Sequence, residues 1–280
     1  MRLFTQPQKL SKFLKSERRT GLKIGFVPTM GFLHQGHLSL VAKAKSENDV
    51  VVVSIFVNPA QFGPSEDFKR YPRDVAGDKK LLVDAGVDCL FVPTQKAVYP
   101  RGFQKLMSVG VLDQYLCGPK RPGHFRGVAT VVKRLFEMIE PDKAYFGQKD
   151  YQQVKVVESL VKRFKFPIQI RVCPIMREKD GLAMSSRNVY LTSDERKRAL
   201  ALHQSLRLAK RMIQNGVTNV SEIRHKMKAV LSGKVNQIDY AEVADSETLK
   251  PLRRLKETML IAIACFVGQT RLIDNLLVKR

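Results

Sequence analysis

The chain has 280 residues, 44% of them hydrophobic and 27% charged, a balance that belongs to globular proteins able to bury one large core or two medium ones. Lysine and arginine number 49 against 26 aspartate and glutamate, a formal charge of +23. The four cysteines stand apart with no Cys-x-x-Cys pair, which argues against a zinc site or a disulfide framework and fits a reducing, cytoplasmic setting. The start of the chain lacks a signal-peptide core, and no apolar run is long enough for a membrane span.

In chain order, Lys9 to Arg19 is basic and acid-poor, the composition of an organelle-targeting segment, but the strand expected at Ile24 follows too closely for that reading. The apolar run Ile24–Val27 predicts a buried strand, and Leu38–Ala44 predicts a helix. Asp49–Val57 is a β-branched strand stopped by Asn58-Pro59. A helix begins at Tyr71–Asp74 and runs through Leu82, with Val75, Leu82 and Val83 on its apolar side. Gly86–Pro93 is a third strand, and residues 98–124 form a long loop with at most a short helix. A helix over Gly127–Glu140 carries Val128, Val131, Val132, Leu135 and Ile139 on one face. Lys143–Phe146 (strand), Tyr151–Phe164 (helix) and Ile168–Val172 (strand) follow. Such alternation predicts right-handed βαβ units and a parallel sheet, with ligands beyond the carboxyl ends of its strands.

After Asn188 the pattern changes: helices from Ser193 to Ile213 and over Val220–Leu231, then strands at Ile238–Val243, Met259–Val267 and Arg271–Leu276. The expected fold is α/β: a Rossmann-like parallel-sheet domain over residues 1–176 and a smaller α+β domain over 177–280, with Arg177–Arg187 joining them.

Chemistry concentrates at four places. His34-x-Gly36-His37 lies where a strand hands over to a helix, so free backbone N–H groups and a partial positive charge are expected there for phosphate. The same spacing also suits a metal pair or structural histidines, although no nearby Cys or carboxylate cluster completes a metal site. Phe146-Gly147-Gln148-Lys149-Asp150 is a second switch from strand to helix: Gly147 permits close approach, Lys149 offers charge, and Asp150 can cap the helix or accept from a ribose hydroxyl, unless the stretch is an ordinary loop with a surface Lys–Asp pair. Met184-Ser185-Ser186-Arg187-Asn188 carries hydroxyls and a guanidinium suited to a triphosphate, or to an ordinary turn before a helix. Gln61 and Gln153 are uncharged amides that can hold a small hydroxy acid or act as surface amides. The charge excess fits either a basic, soluble surface or loose affinity for polyanions.

Six pieces in order carry a resemblance: Pro28-Thr-Met-Gly-x-Leu-His34-x-Gly-His37, Asn58-Pro-x-Gln61-Phe62, Tyr71-Pro72-Arg73, His124-Phe-x-Gly127-Val, Phe146-Gly-x-Lys149-Asp-Tyr-Gln-Gln153 and Gly181-Leu-Ala-Met184-Ser-Ser-Arg187-Asn188. In these the chain resembles the pantoate–β-alanine ligases of the nucleotidyltransferase superfamily, whose His-x-Gly-His signature is shared with class I aminoacyl-tRNA synthetases. The resemblance covers most of residues 28–188 and is looser beyond.

It implies ATP-dependent condensation of pantoate with β-alanine through a pantoyl-adenylate, releasing AMP and pyrophosphate. It implies catalytic roles for His37 (proton donor), His34 and Lys149. ATP would meet Met30, Gly31, Phe32, Leu33, His34, Gln35, Gly36 and His37, then Gly147, Gln148, Lys149 and Asp150, and also Met176, Met184, Ser185, Ser186 and Arg187. Pantoate would meet Gln61 and Gln153, and β-alanine would meet Gln61. Met176 departs from the valine frequent there. Mg²⁺ is expected with ATP, bound largely through phosphate oxygens and water, so the sequence need not show a dedicated cage. A cytoplasmic homodimer is implied, with the smaller domain closing over the site and neither a membrane nor a specific nucleic acid as partner. A related nucleotidyltransferase lacks a use for the two glutamines, and a nucleic-acid-binding protein lacks a recognition motif.

Overall fold

A computed structural model of the chain describes residues 1–103 and 106–280, so two positions of the expected 98–124 loop, Gln104 and Lys105, lie outside the described residues. In chain order the first elements are β1 (Arg2–Phe4), α1 (Pro7–Arg19), β2 (Ile24–Thr29), α2 (Gln35–Lys45), β3 (Val50–Ile55), α3 (Val75–Asp84) and β4 (Cys89–Phe91). The one-turn helices α4 (Gln95–Val98) and α5 (Cys117–Lys120) follow, then α6 (His124–Ile139), β5 (Lys143–Gly147), α7 (Tyr151–Phe164) and β6 (Gln169–Cys173). Helices α8 (Ser193–Gln214) and α9 (Val220–Leu231) precede β7 (Gln237–Asp245), β8 (Thr258–Val267) and β9 (Thr270–Lys279).

Two compact units result. The first comprises residues 1–109, 122–147 and 153–174; the second comprises 110–121, 148–152 and 175–280, an interleaving that one cut after residue 176 does not express.

In the first unit six parallel strands run in the order β1-β4-β3-β2-β5-β6. Strand β3 (Val50-Val-Val-Val-Ser-Ile55) is buried at every position, as a central strand covered on both faces must be. Helix α6 lays its expected valine and leucine stripe into the core beside Phe26, Phe136 and Phe146. The chain leaves β2 in one direction through β3 and β4, and returns to its other side with β5 and β6. The order therefore reverses between β2 and β5, the point at which open α/β sheets bind ligands.

Lys9–Arg19, whose targeting reading the sequence already sets aside, lies in α1, an integral helix that sinks Leu10 and Leu14 into the core. Two expectations change here. Val75 and Val83, expected on the buried side of α3, are 46% and 50% exposed, and the inward face consists of Asp78 and Leu82, four residues apart. The third strand is short, Cys89–Phe91, because it pairs with β1 and β3 over only those residues.

In the second unit a three-stranded antiparallel sheet, β7-β8-β9, packs one face against α8 and α9. Leu202, Leu206, Ile223, Met227 and Leu231 meet Ile261, Ile263 and Cys265 there. Thr192, one residue before the expected start, caps α8: its hydroxyl accepts from Glu195 N–H, and Glu195 accepts from Thr192 N–H. Among the described residues no helix is long and apolar enough to cross a membrane.

Candidate active site

Strand β2 ends at Thr29, whose hydroxyl donates to Ser54 O (2.7 Å) and accepts from Gly31 N–H (3.1 Å). The chain then takes two left-handed steps, Gly31 (φ +81°) and Phe32 (φ +52°). A side chain at position 31 would press on Asp78 Oδ2 and Ile55 Cγ2, both 2.9 Å from an ideal Cβ, so the position needs glycine for space as well as for φ. Asp78, from α3, accepts Phe32 N–H at 2.8 Å and Leu33 N–H at 2.7 Å, one on each carboxylate oxygen. Burial pushes its carboxyl pKa up, against the pull of those two donors. No feature of the local sequence marks Asp78, because its partners lie on a different element.

The turn delivers two imidazoles. His34 is the cap of α2: its Nδ1 accepts Gly36 N–H at 3.1 Å, while His37 Nδ1 accepts His34 N–H at 3.3 Å. The rings lie 4.1 Å apart. A backbone N–H can only donate, so each neutral imidazole keeps its proton on Nε2. This corrects the expectation of free backbone donors at the start of α2: Gly36 N–H is taken by the His34 ring and His37 N–H by His34 O. In this arrangement each imidazole carries an Nε2–H donor.

Beyond β3, Asn58 and Gln61 bracket a single helical turn, Pro59–Gln61. Helix α6 crosses this turn so closely that a Cβ on Gly127 would lie 2.1 Å from Ala60 O. The Gly127 and Asn58–Gln61 motifs are thus two halves of one contact. His124 Nδ1 meets Gln61 O at 2.8 Å, and Gln61 Nε2 meets Met30 Sδ at 3.1 Å, joining this turn to the loop that follows β2. Sequence reasoning gave His124 no role; the glycine three residues later, on the same helical face, was the available signal. Gly147 ends β5 opposite Cys173, and Gln153 is half-buried on α7.

The second unit holds the remaining expected residues. Gln148, Lys149 and Asp150 form a helical turn tied to β9: Asn275 Nδ2 donates to the carbonyls of Gln148 (3.0 Å) and Lys149 (2.9 Å). Lys149 Nζ lies 3.8 Å from Asp150. Gln152, adjacent to the expected Gln153, is spent internally: it accepts Cys117 N–H and donates to Leu112 and Tyr115 carbonyls. Met176 is 41% exposed and pairs through its carbonyl with Met184 N–H (3.0 Å), closing a turn around Gly181 (φ +96°). Arg177 anchors that turn with paired bonds of 2.7 and 2.9 Å to Asp274. Ser185 caps the following turn by accepting Arg187 N–H at 3.3 Å, and Ser186 is buried. Among the described residues no three His, Cys, Asp or Glu side chains converge as metal ligands.

A parallel sheet with a His-x-Gly-His turn at its switch point defines the class: a doubly wound α/β protein that presents fixed imidazole donors beyond a central strand. The comparisons are specific. Residues 2–277 match the sequence profile of the Pantoate-beta-alanine ligase family. A pantothenate synthetase from Fervidobacterium nodosum is 50% identical over 279 residues, covering 100% of each chain to the nearest per cent. The crystal structure of pantothenate synthetase from Thermus thermophilus superimposes with a TM-score of 0.93 at 44% identity, covering 99% of each chain. A pantoate-beta-alanine ligase from Francisella tularensis, complexed with beta-gamma ATP and beta-alanine, gives a TM-score of 0.82 at 38% identity, over 99% of this chain and 97% of that one. The chain belongs to the pantoate–β-alanine ligase family. It is therefore an enzyme that joins pantoate to β-alanine at the expense of ATP.

Proposed function

We propose that the two Nε2–H donors of His34 and His37 neutralise the triphosphate while a pantoate carboxylate oxygen attacks the α-phosphorus of ATP. The P–O bond to pyrophosphate breaks and pantoyl-adenylate forms. The amine of β-alanine then attacks the acyl carbon, the C–O bond to AMP breaks, and a proton leaves the new amide nitrogen. No bond to the enzyme is needed: catalysis comes from aligning the reactants and stabilising charge. The observation that carries this reading is the cap geometry, which fixes both imidazoles as donors.

His37 is the proton donor, with His34 and Lys149 the other catalytic groups. Met30–His37, Gly147–Asp150, Met176 and Met184–Arg187 contact ATP; Gln61 and Gln153 contact pantoate, and Gln61 also β-alanine. By the division the resemblance implies, residues 1–176 would carry ATP and pantoate binding and residues 177–280 would supply Met184–Arg187, although Gln148–Asp150 and Met176 fall in the second compact unit. A Mg²⁺ ion bound with ATP, largely through phosphate oxygens and water, would add charge neutralisation on the phosphates. A homodimer in the cytoplasm is the setting we infer from the family.

The test incubates the protein with ATP, Mg²⁺, pantoate and β-alanine and follows AMP and pyrophosphate. AMP that requires pantoate is the expected result. No AMP, or AMP formed equally well without pantoate, contradicts the reading.

A further inference from the structure

The amide of Gln61 looks symmetric to a ligand in shape but not in polarity, and the surrounding bonds determine which end faces which way. Asn58 is the key. Ala60 N–H, which can only donate, meets Asn58 Oδ1 at 3.2 Å, and Gly127 O, which can only accept, meets Asn58 Nδ2 at 3.2 Å. These two backbone groups fix the Asn58 amide in one orientation. The same Nδ2 lies 3.0 Å from the Gln61 amide, so the atom it meets must be Oε1. Gln61 Nε2 is thereby turned the other way, beside the soft acceptor Met30 Sδ.

Tyr99 tethers the arrangement. Its hydroxyl donates to Asn58 Oδ1 at 2.7 Å, shorter than either backbone bond to that amide. The ring is seated among Phe56 and Phe103. Burial raises the phenol pKa despite the Asn58 bond, which keeps the hydroxyl protonated at neutral pH. Asn58 and Gln61 are themselves only 1% and 9% exposed, so an error of polarity here would leave buried polar atoms unmatched.

We propose that Tyr99, acting through Asn58, is a positioning residue that makes Gln61 a donor toward the acid substrate. The subsite then accepts ligand oxygens, such as the hydroxyl or carboxylate oxygens of a hydroxy acid, and rejects a group that must donate there. This rests on the assignment of Gln61 to pantoate made above.

Steady-state kinetics of Tyr99→Phe and Asn58→Asp test it. Phenylalanine keeps the ring packing and removes the tether, so the pantoate KM should rise about tenfold while the ATP KM stays within about twofold. Aspartate offers Gln61 only acceptors, forcing its amide to turn, and should raise the pantoate KM about 100-fold with the ATP KM again little changed. A purely structural role would lower Tm and move both KM values together, which overturns the proposal, as does a pantoate KM within twofold of wild type in Tyr99→Phe. Should Asn58→Asp fail to fold, Tyr99→Phe alone is decisive. Wild-type enzyme separates the two levels: if it forms no pantoate-dependent AMP, the functional reading fails; if it does and Tyr99→Phe is unchanged, only this inference fails.

Discussion

The turn ahead of α2 and the turn around Gly181 both carry residues matched to the family, yet they are held in different ways. In the first, a buried carboxylate on another helix, Asp78, accepts two consecutive backbone N–H groups across two left-handed residues. In the second, the half-exposed Asp180 accepts the nearby Leu182 N–H and pairs with Arg196, while one remote ion pair, Arg177–Asp274, anchors the whole. One turn is imposed from outside; the other is closed mostly by its own residues. The difference suits the role proposed for the imidazoles, since groups that stabilise a transition state need a backbone that is already set before substrate arrives.

The contrast breaks most visibly in Asp78→Ala. Two part-buried N–H groups would lose their acceptor, at about 1–3 kcal/mol each, so urea unfolding should show a loss of about 3 kcal/mol. Asp180→Ala removes an exposed pair and should cost less than about 1 kcal/mol. Equal losses would mean that Asp78 is not the clamp.

A subtler difference lies in pH. Burial raises the Asp78 pKa, so keeping it ionised is a cost that is relieved as pH falls through its folded value; wild type should gain on Asp78→Asn as the solution is acidified from neutral. For Asp180, burial works upward, but Leu182 N–H and Arg196 bring the net shift below the ordinary carboxylate value. Its stabilisation is present above the ordinary pKa of about 3.9 and is lost as pH falls through the depressed folded value. Wild type should therefore lose ground to Asp180→Asn in that lower window. Thermal unfolding of the three proteins between pH 7 and pH 3 reads both slopes, and slopes of one sign would remove the distinction.

What could be read without coordinates divides along the same line. The β-branched run of β3, the stripe of α6 and the bounds of α7 and α9 are local patterns, and each appears where periodicity puts it. The His-x-Gly-His turn and the Gln61 motif are local as well. Helix α1 escaped notice because only Leu10 and Leu14 mark its buried side among many charges, and β1 is three residues long and defined by pairing with β4. The groups that hold the site are remote: Asp78 lies 46 residues from Phe32, Asp274 lies 97 from Arg177, and Asn275 lies 127 from Gln148. Hydrogen-bond polarity is further still from the sequence. That Gln61 should face a ligand with its nitrogen follows only from the backbone groups around Asn58.

The charge of +23 finds partial expression in α1, where Lys9, Lys12, Lys15 and Arg19 line an open groove of about 950 Å³ with Arg134 and Glu137 of α6. This groove lies on different elements from the His34–His37 turn and shares no residue with the sites expected for ATP and pantoate.

The account rests on His37 acting in the adenylation step. Pantoate-dependent exchange of labelled pyrophosphate into ATP, measured without β-alanine, isolates that step. His37→Asn offers an amide oxygen in place of the Nδ1 acceptor for His34 N–H and removes the Nε2–H donor. The account predicts that exchange falls about 100-fold or more while the Kd for ATP changes little. Undiminished exchange in His37→Asn, or a loss matched by an equal loss of ATP affinity, would contradict it.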